Sequence, residues 1–227
     1  MIEACLFDLD GVIVDTARYH YLAWQRLAGE LGFTFSEQEN ERLKGVSRMR
    51  SLEILLELGG LTMDDAAKAE LAARKNQWYV EMISRMDERD VLPGARRFLQ
   101  ACRAAGVKTA LGSASRNAMT ILRGVRLVEA FDVIVDGNRT AVAKPDPEVF
   151  LLGARELGVA PARCAVFEDA PAGIEAALRA GMYAIGIGAP KALDQAHLVI
   201  GSLAEIDLEV LRNGTLCEAG RVADRRG

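Results

Sequence analysis

The chain alternates short apolar runs with amphipathic stretches. Short apolar runs that end at a polar residue or a glycine occupy residues 2–7, 107–112, 133–135, 164–167 and 184–187. Apolar residues recur at helical spacing in residues 94–105, 117–127, 147–157 and 172–180. Fully apolar runs are typical of strands that are buried on both faces. The alternation therefore predicts an α/β fold, with a Rossmann-like doubly wound parallel sheet and right-handed crossovers.

One long stretch after the first strand departs from this alternation. It contains no convincing strand, and its helical patterns cover residues 16–31, 48–58 and 64–86. We interpret residues 16–91 as an inserted helical cap and residues 1–15 and 92–211 as the α/β core. The final residues, 212–227, show no apolar periodicity, so we expect a disordered tail there.

Composition and charge narrow the class of protein. Of the 227 residues, 50% are hydrophobic and 26% are charged, which is typical of a globular protein. The formal net charge of −4 supplies no basic field, so we expect no nucleic-acid partner. Asp8 and Asp10 interrupt the first apolar run, and no run approaches the ~20 residues of a membrane span. We therefore expect no membrane partner and no signal peptide.

The cysteines indicate the compartment. Cys5, Cys102, Cys164 and Cys217 are widely separated and form no C-x-x-C pair, which argues against a structural zinc site. Cys5 and Cys164 lie in apolar runs, where a buried free thiol is the expected state. Free thiols suit a reducing cytoplasm, so we expect a cytoplasmic protein. A monomer is the default expectation for the oligomeric state.

Polar residues follow three of the predicted strands, and a lysine lies in a further loop. They are Asp8, Asp10, Ser113, Lys144, Glu168 and Asp169. A single aspartate at a strand end is as often a cap or turn residue. In an open α/β sheet, however, ligands bind beyond the carboxyl ends of the strands, so these side chains are expected to converge. Four carboxylates suit Mg²⁺, and a lysine with a hydroxyl beside the metal suits a phosphate.

The same residues carry a resemblance to a known family. In order along the chain, Asp8-Leu9-Asp10-Gly11-Val12, Ser113, Lys144-Pro145 and Glu168-Asp169 resemble the four motifs of the haloacid dehalogenase superfamily in its phosphotransferase form. The resemblance implies that Asp8 is a nucleophile that becomes an aspartyl phosphate, and that Asp10 is the general acid/base. It also implies Mg²⁺ bound by Asp8, Asp10, Glu168 and Asp169.

Residues of the predicted cap, together with core residues 113–117, narrow the resemblance to the β-phosphoglucomutase family. The matching segments are Thr16-x-x-x-His20-x-x-x-Trp24, Leu43-Lys44-Gly45-Val46-Ser47-Arg48, Ser51, Arg74-Lys75-Asn76 and Ser113-Ala114-Ser115-Arg116-Asn117. This resemblance implies interconversion of β-glucose 1-phosphate and glucose 6-phosphate through a bound bisphosphate. Small sugar phosphates are then the expected partners.

The resemblance also implies a division of labour within the site. Thr16, His20 and Lys144 are implied to assist catalysis. The residues implied to bind the substrate are Trp24, Lys44, Gly45, Val46, Ser47, Arg48, Ser51, Lys75, Ser113, Ala114, Ser115, Arg116 and Asn117. Taken without the resemblance, His20 and Trp24 fit a buried helix stripe, whereas Arg48 and Lys75 fit solvated charges.

Two departures and two other functions accompany this interpretation. Arg116 stands where the family is expected to have lysine, and Ala170 stands where a serine is usual. A sugar-phosphate or polyol-phosphate phosphatase of the same superfamily requires the same chemistry with water as acceptor. A catalytically inert regulator is the third hypothesis, and its mark would be the loss of Asp8, Asp10 or Lys144, all of which are present.

Overall fold

A six-stranded parallel sheet forms the centre of the computed structural model, which describes residues 1–43 and 46–212. The strands are β1 (Ala4–Phe7), β2 (Lys108–Gly112), β3 (Val133–Val135), β4 (Cys164–Glu168), β5 (Tyr183–Ile187) and β6 (Leu198–Ile200). Their order is β3-β2-β1-β4-β5-β6. The direction of winding reverses beside β1, and such a switch point opens a crevice beyond the carboxyl ends of the central strands. The predicted doubly wound parallel sheet is confirmed.

Helices lie both between the strands and in the long insert after β1. They are α1 (Ala17–Glu30), α2 (Glu37–Asn40), α3 (Arg48–Leu58), α4 (Asp65–Ile83), α5 (Ala95–Ala104), α6 (Ala118–Gly124), α7 (Glu148–Leu157), α8 (Pro171–Arg179) and α9 (Leu208–Arg212). The described part of the insert, from α1 to α4, contains no strand, as its pattern predicted. The division into core and cap stays a prediction.

Three elements were absent from the sequence-based prediction: β6, α2 and α9. Each has only three to five residues, which is too short to show a period in the sequence. The predicted disordered tail begins at residue 212, but Arg212 still belongs to α9. Residues 213–227 lie outside the described part of the chain, so the rest of that prediction stays untested.

Strand β1 is buried on both faces, which explains its unbroken apolar sequence. Ala4 and Leu6 pack in the cluster on one side of the sheet, and Cys5 and Phe7 pack in the cluster on the other. The Phe7 ring stacks on Phe167 of the neighbouring strand, with centroids 4.8 Å apart. The residues that follow β1 therefore begin from a rigid, fully buried strand.

The helical insert has its own apolar cluster and a fixed attachment to the sheet. Trp24, Leu27 and Leu55 belong to a cluster distinct from the two at the sheet, whereas Tyr79 of α4 packs in a sheet cluster. The segment that enters the insert and the segment that leaves it lie side by side, because the Asp15 amide donates to the Asp90 carbonyl at 3.2 Å. None of the helices in residues 1–43 and 46–212 is both long and apolar enough to cross a membrane.

Candidate active site

A buried ammonium group links the ends of three strands. Lys144 Nζ donates to Asp8 Oδ1 at 2.5 Å, to the Gly112 carbonyl at 3.0 Å and to Glu168 Oε2 at 3.1 Å. Burial opposes a charged lysine, but Asp8 and Glu168 offset burial and hold the pKa of Lys144 above its usual value. The ammonium therefore stays charged while it is only 4% exposed.

Three carboxylates beside Lys144 form a group suited to a cation. Asp8, Glu168 and Asp169 each offer an oxygen, and these oxygens lie within 4.8 Å of one another. Glu168 Oε1 is buried without a hydrogen-bond partner among the described residues. Burial and then Asp8 raise the pKa of Glu168 well above its usual value. A buried acceptor with no donor is the feature that a bound cation would satisfy.

The absence of a side chain at two glycines provides the space that the Asp169 and Glu168 carboxylates occupy. A Cβ at Gly11, where φ is +79°, would lie 2.1 Å from Asp169 Oδ2. A Cβ at Gly173 would lie 2.0 Å from the Glu168 carboxylate. Any larger residue at either position would displace a carboxylate, so the glycines fix where the acidic side chains stand.

Asp10 lies two residues beyond Asp8 but faces a different partner. Thr16 Oγ1 donates to Asp10 Oδ1, so the Asp10 carboxylate points to the start of α1 and is not part of the three-carboxylate group. Burial and then Asp8 raise its pKa to about 7, while Thr16 and Lys144 act in the opposite direction. A metal contact through Asp10 stays a prediction.

The loop after β2 is held by its own side chains. Ser113 Oγ accepts from the Ser115 amide at 3.0 Å, and Ser115 Oγ accepts from the Asn117 amide at 3.2 Å. Ser113 is 1% exposed. The loop therefore keeps a fixed turn that presents Ala114 and Arg116 to the cavity.

Lys75 of α4 is buried, so its interpretation as a solvated charge is wrong. It is 2% exposed, and its Nζ lies 3.0 Å from His20 Nδ1 and 4.4 Å from the centroid of the Trp24 ring. Burial and then Arg48 lower the pKa of Lys75 to about 7, against the opposing effect of Asp10. Burial, Lys75 and Arg48 also hold the pKa of His20 well below its usual value.

These groups surround a cavity of about 530 Å³ between the insert and the sheet. Most of the predicted site residues line it: Asp8, Asp10, His20, Trp24, Val46, Ser47, Arg48, Ser51, Lys75, Ser113, Ala114, Ser115, Arg116, Asn117, Lys144 and Asp169. Thr16 and Glu168 are buried behind this lining. Lys44 and Gly45 lie outside the described residues. The roles assigned to all of these residues stay predictions.

Two guanidinium groups belong to the cavity lining. Arg48 begins α3 and Arg116 belongs to the loop after β2. Burial and then Arg116 lower the pKa of Arg48, so the two cations are close enough to repel each other. Two cations that repel each other beside one cavity are suited to binding an anion between them.

Asn76 and Asn40 also line the cavity, although neither was among the predicted site residues. Asn117 Nδ2 donates to Asn76 Oδ1 at 2.9 Å, which joins α4 of the insert to the loop after β2. The position of Asn76 next to Lys75 was a usable signal. Asn40 ends a four-residue helix that the sequence pattern did not indicate, so no feature of the sequence pointed to Asn40 as a site residue.

The fold and the acidic site define an α/β enzyme of the haloacid dehalogenase type. The sequence profile of haloacid dehalogenase-like hydrolases matches residues 2–181. The chain belongs to this family.

Individual relatives are similar over almost the whole chain. The chain is 45% identical over 212 residues to the β-phosphoglucomutase of Bacillus subtilis (strain 168), covering 92% of this chain and 94% of that protein. It is 33% identical over 219 residues to a phosphorylated carbohydrates phosphatase of Thermotoga maritima, covering 93% and 97%. The crystal structure of a β-phosphoglucomutase from Clostridium difficile superposes with a TM-score of 0.91 at 40% identity, covering 96% of this chain and 99% of that one.

The Lys144 interactions predict a large effect on stability. Lys144→Met leaves the Asp8 and Glu168 carboxylates buried without their cation, so we expect the free energy of unfolding at neutral pH to fall by about 3–5 kcal/mol. Urea denaturation in the presence of a metal chelator measures it. The deficit should shrink as the pH falls, because a protonated Glu168 needs no cation.

Lys108→Met is the matched control for this prediction. The Lys108 ammonium donates to the Leu157 carbonyl at 2.6 Å, and no buried carboxylate of the described residues pairs with it. We expect a loss of at most about 1.5 kcal/mol with little dependence on pH. Equal losses in the two variants would contradict the view that Lys144 offsets buried negative charge.

Proposed function

We propose that the protein is a β-phosphoglucomutase, which interconverts β-glucose 1-phosphate and glucose 6-phosphate through an aspartyl phosphate and a bisphosphate intermediate. The observation that supports this proposal is the presence of cationic groups at two places in one cavity. Lys144, together with a cation held by the three carboxylates, would receive the transferring phosphate, and Arg48 with Arg116 would receive the other phosphate. A mutase holds a sugar by two phosphates at once, whereas a monophosphate hydrolase needs only the first site.

The acidic group fits Mg²⁺, which we propose as the cofactor. Asp8, Glu168 and Asp169 would hold it, and Asp10 stays the fourth predicted ligand. With formal charges, three carboxylates and one ammonium leave two negative charges, which a divalent cation cancels. When bound, the ion neutralises charge on the phosphoryl oxygens. The partnerless Glu168 Oε1 supports this assignment.

Asp8 is the proposed nucleophile. One of its oxygens forms a bond to the phosphorus of the substrate, and the bond from phosphorus to the sugar oxygen breaks. A carboxylate is repelled by a phosphate dianion, and Lys144 reduces that repulsion from its position 2.5 Å from Asp8 Oδ1. The Asp8 carboxylate is also oriented by the Asp10 amide, which donates to Oδ2 at 3.0 Å.

Asp10 is the proposed general acid/base. It donates a proton to the departing sugar oxygen and later removes the proton from the sugar hydroxyl that attacks the aspartyl phosphate. Its pKa of about 7 allows both protonation states near neutral pH. Thr16 fixes the direction of the carboxylate by donating to Oδ1. His20 and Lys75 lie at the adjacent wall of the cavity.

Two further assignments belong to the proposal. We expect a monomer, which size-exclusion chromatography tests. We also expect a cytoplasmic protein, an assignment supported by Cys5, Cys102 and Cys164, which are buried free thiols.

One assay separates the candidate functions. The protein is incubated with β-glucose 1-phosphate, Mg²⁺ and a trace of glucose 1,6-bisphosphate, while glucose 6-phosphate and inorganic phosphate are followed in parallel. We expect glucose 6-phosphate to account for nearly all of the substrate consumed. Release of one inorganic phosphate for each substrate molecule consumed would identify a phosphatase. The absence of both products would indicate an inert relative. Asp8→Asn is the control, because it removes the proposed nucleophile while keeping the size of the side chain.

A substitution at Gly173 should weaken metal binding although it replaces none of the proposed ligands. In Gly173→Ala the new methyl group displaces the Glu168 carboxylate, so we expect Mg²⁺ affinity to fall by about 10–100-fold, as for other changes behind a metal ligand. Isothermal titration of Mg²⁺ into the protein measures this directly.

Gly29→Ala is the matched control for the metal prediction, since Gly29 also lies in a helix but has no atom within 4 Å of the added Cβ. We expect unchanged Mg²⁺ affinity and a gain in stability of about 0.5–1 kcal/mol. Unchanged affinity in Gly173→Ala would remove Glu168 from the metal site.

Loss of the Arg48 side chain should affect phosphoenzyme formation from two phosphoryl donors to different extents. Arg48→Ala should weaken use of glucose 1,6-bisphosphate as a phosphoryl donor at least about tenfold, because a charge-assisted hydrogen bond to its second phosphate is worth ~1.5–3 kcal/mol. Formation of the phosphoenzyme from acetyl phosphate, which has no second phosphate, should change little. Rapid-quench measurement of phosphoenzyme formation with each donor gives the comparison.

Arg50→Ala controls for the loss of a positive charge on the same helix. Arg50 is exposed and pairs with Glu53 at 3.0 Å and with Glu57 at 3.2 Å. We expect it to leave both donors unaffected. Equal losses with both donors in Arg48→Ala would place Arg48 at the transferring phosphate or in the fold, contrary to the proposal.

A further inference from the structure

Tyr79 of α4 is a buried residue whose hydroxyl group meets hydrogen-bond geometry with no partner in the described part of the chain. The side chain is 1% exposed, and its ring centroid lies 4.1 Å from that of His20 and 4.8 Å from Lys75 Nζ. Among the described residues, no donor or acceptor satisfies Tyr79 Oη. A buried hydroxyl without a partner destabilises a fold, whereas phenylalanine would fill the same space without that cost. We therefore expect the hydroxyl to gain a hydrogen-bond partner in another state of the site, such as the ligand-bound state.

Two other hydroxyl groups lie beside Tyr79. The Tyr79 ring packs on His20 of α1 with centroids 4.1 Å apart, and Thr16 lies four residues before His20, on the same face at the start of that helix. Burial and then Asp10 raise the pKa of Tyr79 above its usual value, while the hydroxyls of Thr16 and Ser115 act in the opposite direction. Neither hydroxyl meets hydrogen-bond geometry with Tyr79 Oη in this structure.

Thr16 is the better acceptor of the two. Thr16 Oγ1 donates its own proton to Asp10, and no described residue donates to its oxygen. Ser115 Oγ already accepts from the Asn117 amide at 3.2 Å. A proton donated to Thr16 Oγ1 would also hold the Thr16 proton on Asp10, because successive hydrogen bonds polarise one another.

The helix that carries Tyr79 also lines the cavity. Lys75 and Tyr79 are four residues apart and so lie on the same face of α4. Asn76, between them in sequence, contacts the loop after β2 through Asn117. Any movement of α4 that follows ligand binding at Lys75 or Asn76 therefore moves Tyr79 as well.

We propose that Tyr79 is a positioning residue for the acid/base: its hydroxyl donates to Thr16 Oγ1 when α4 closes on a bound sugar phosphate, and this fixes Thr16 against Asp10. The proposal rests on the function proposed above. It gives the hydroxyl no contact with the substrate and no part in metal binding.

The test compares Tyr79→Phe with Tyr21→Phe and the unchanged protein. For Tyr79→Phe we expect kcat for isomerisation of β-glucose 1-phosphate to fall about tenfold or more, a part of the roughly 10²–10⁴-fold that an acid/base group contributes. KM should stay within about twofold, and the thermal midpoint should be equal to or higher than that of the unchanged protein. Phosphoenzyme formation from acetyl phosphate should be retained, since acetate leaves without a proton.

Tyr21→Phe removes a hydroxyl of the same chemistry that is paired. Tyr21 donates to the Phe35 carbonyl at 3.3 Å and lies outside the cavity lining. We expect a lower thermal midpoint and unchanged kcat. This control separates the loss of a structural hydrogen bond from the loss of a positioning one.

Three outcomes would overturn the proposal. A kcat within about twofold of the unchanged protein would show that the hydroxyl is dispensable, given the loss expected for a positioning group. A lower thermal midpoint in Tyr79→Phe would assign the hydroxyl a structural role. An equal loss with acetyl phosphate would place it at the nucleophile. If the unchanged protein releases only inorganic phosphate, the mutase assignment fails, but the ratio of the two rates of phosphate release still tests Tyr79.

Discussion

The charge balance around Lys144 is the constraint on which the site depends. The ammonium group is buried where the ends of β1, β2 and β4 meet, and it stays charged only because Asp8 and Glu168 face it. Those carboxylates in turn are tolerated only near a cation. Because Asp169 adds a third negative charge, the core side of the cavity retains an excess of negative charge.

The opposite wall of the cavity has the reverse excess. Burial and then Arg48 lower the pKa of Lys75, and burial, Lys75 and Arg48 lower the pKa of His20, so further positive charge is disfavoured at this wall. Arg116 adds to this charge from the loop after β2. A cation held by the three carboxylates would relieve the imbalance at the core, and an anionic ligand against Arg48 and Arg116 would relieve the imbalance at the opposite wall. The cavity is therefore electrostatically suited to a phosphorylated molecule before any individual contact is considered.

The carboxylates at the strand ends and the Asp10 side chain are held in place by different kinds of packing. The carboxylates follow β1 and β4, whose side chains are packed on both faces of the sheet. Asp10, by contrast, depends on Thr16 at the junction with the insert, and α4 reaches that junction through Tyr79. Two glycines, Gly11 and Gly173, allow the acidic side chains to approach as closely as they do.

The sequence by itself determined the order of strands and helices, the helical nature of the insert, and the residues at the strand ends, because a buried parallel strand requires an unbroken apolar run and its end must be polar. It did not reveal β6, α2 or α9, which are too short to show a period in the sequence. Only the tertiary structure decided that Lys75 is buried and that Asp10 faces Thr16 and leaves Asp8, Glu168 and Asp169 together. It also decided that the buried Tyr79 hydroxyl has no hydrogen-bond partner within residues 1–43 and 46–212. Burial, pKa and hydrogen-bond pairing depend on neighbours distant along the chain, and local sequence patterns contain no information about those distances.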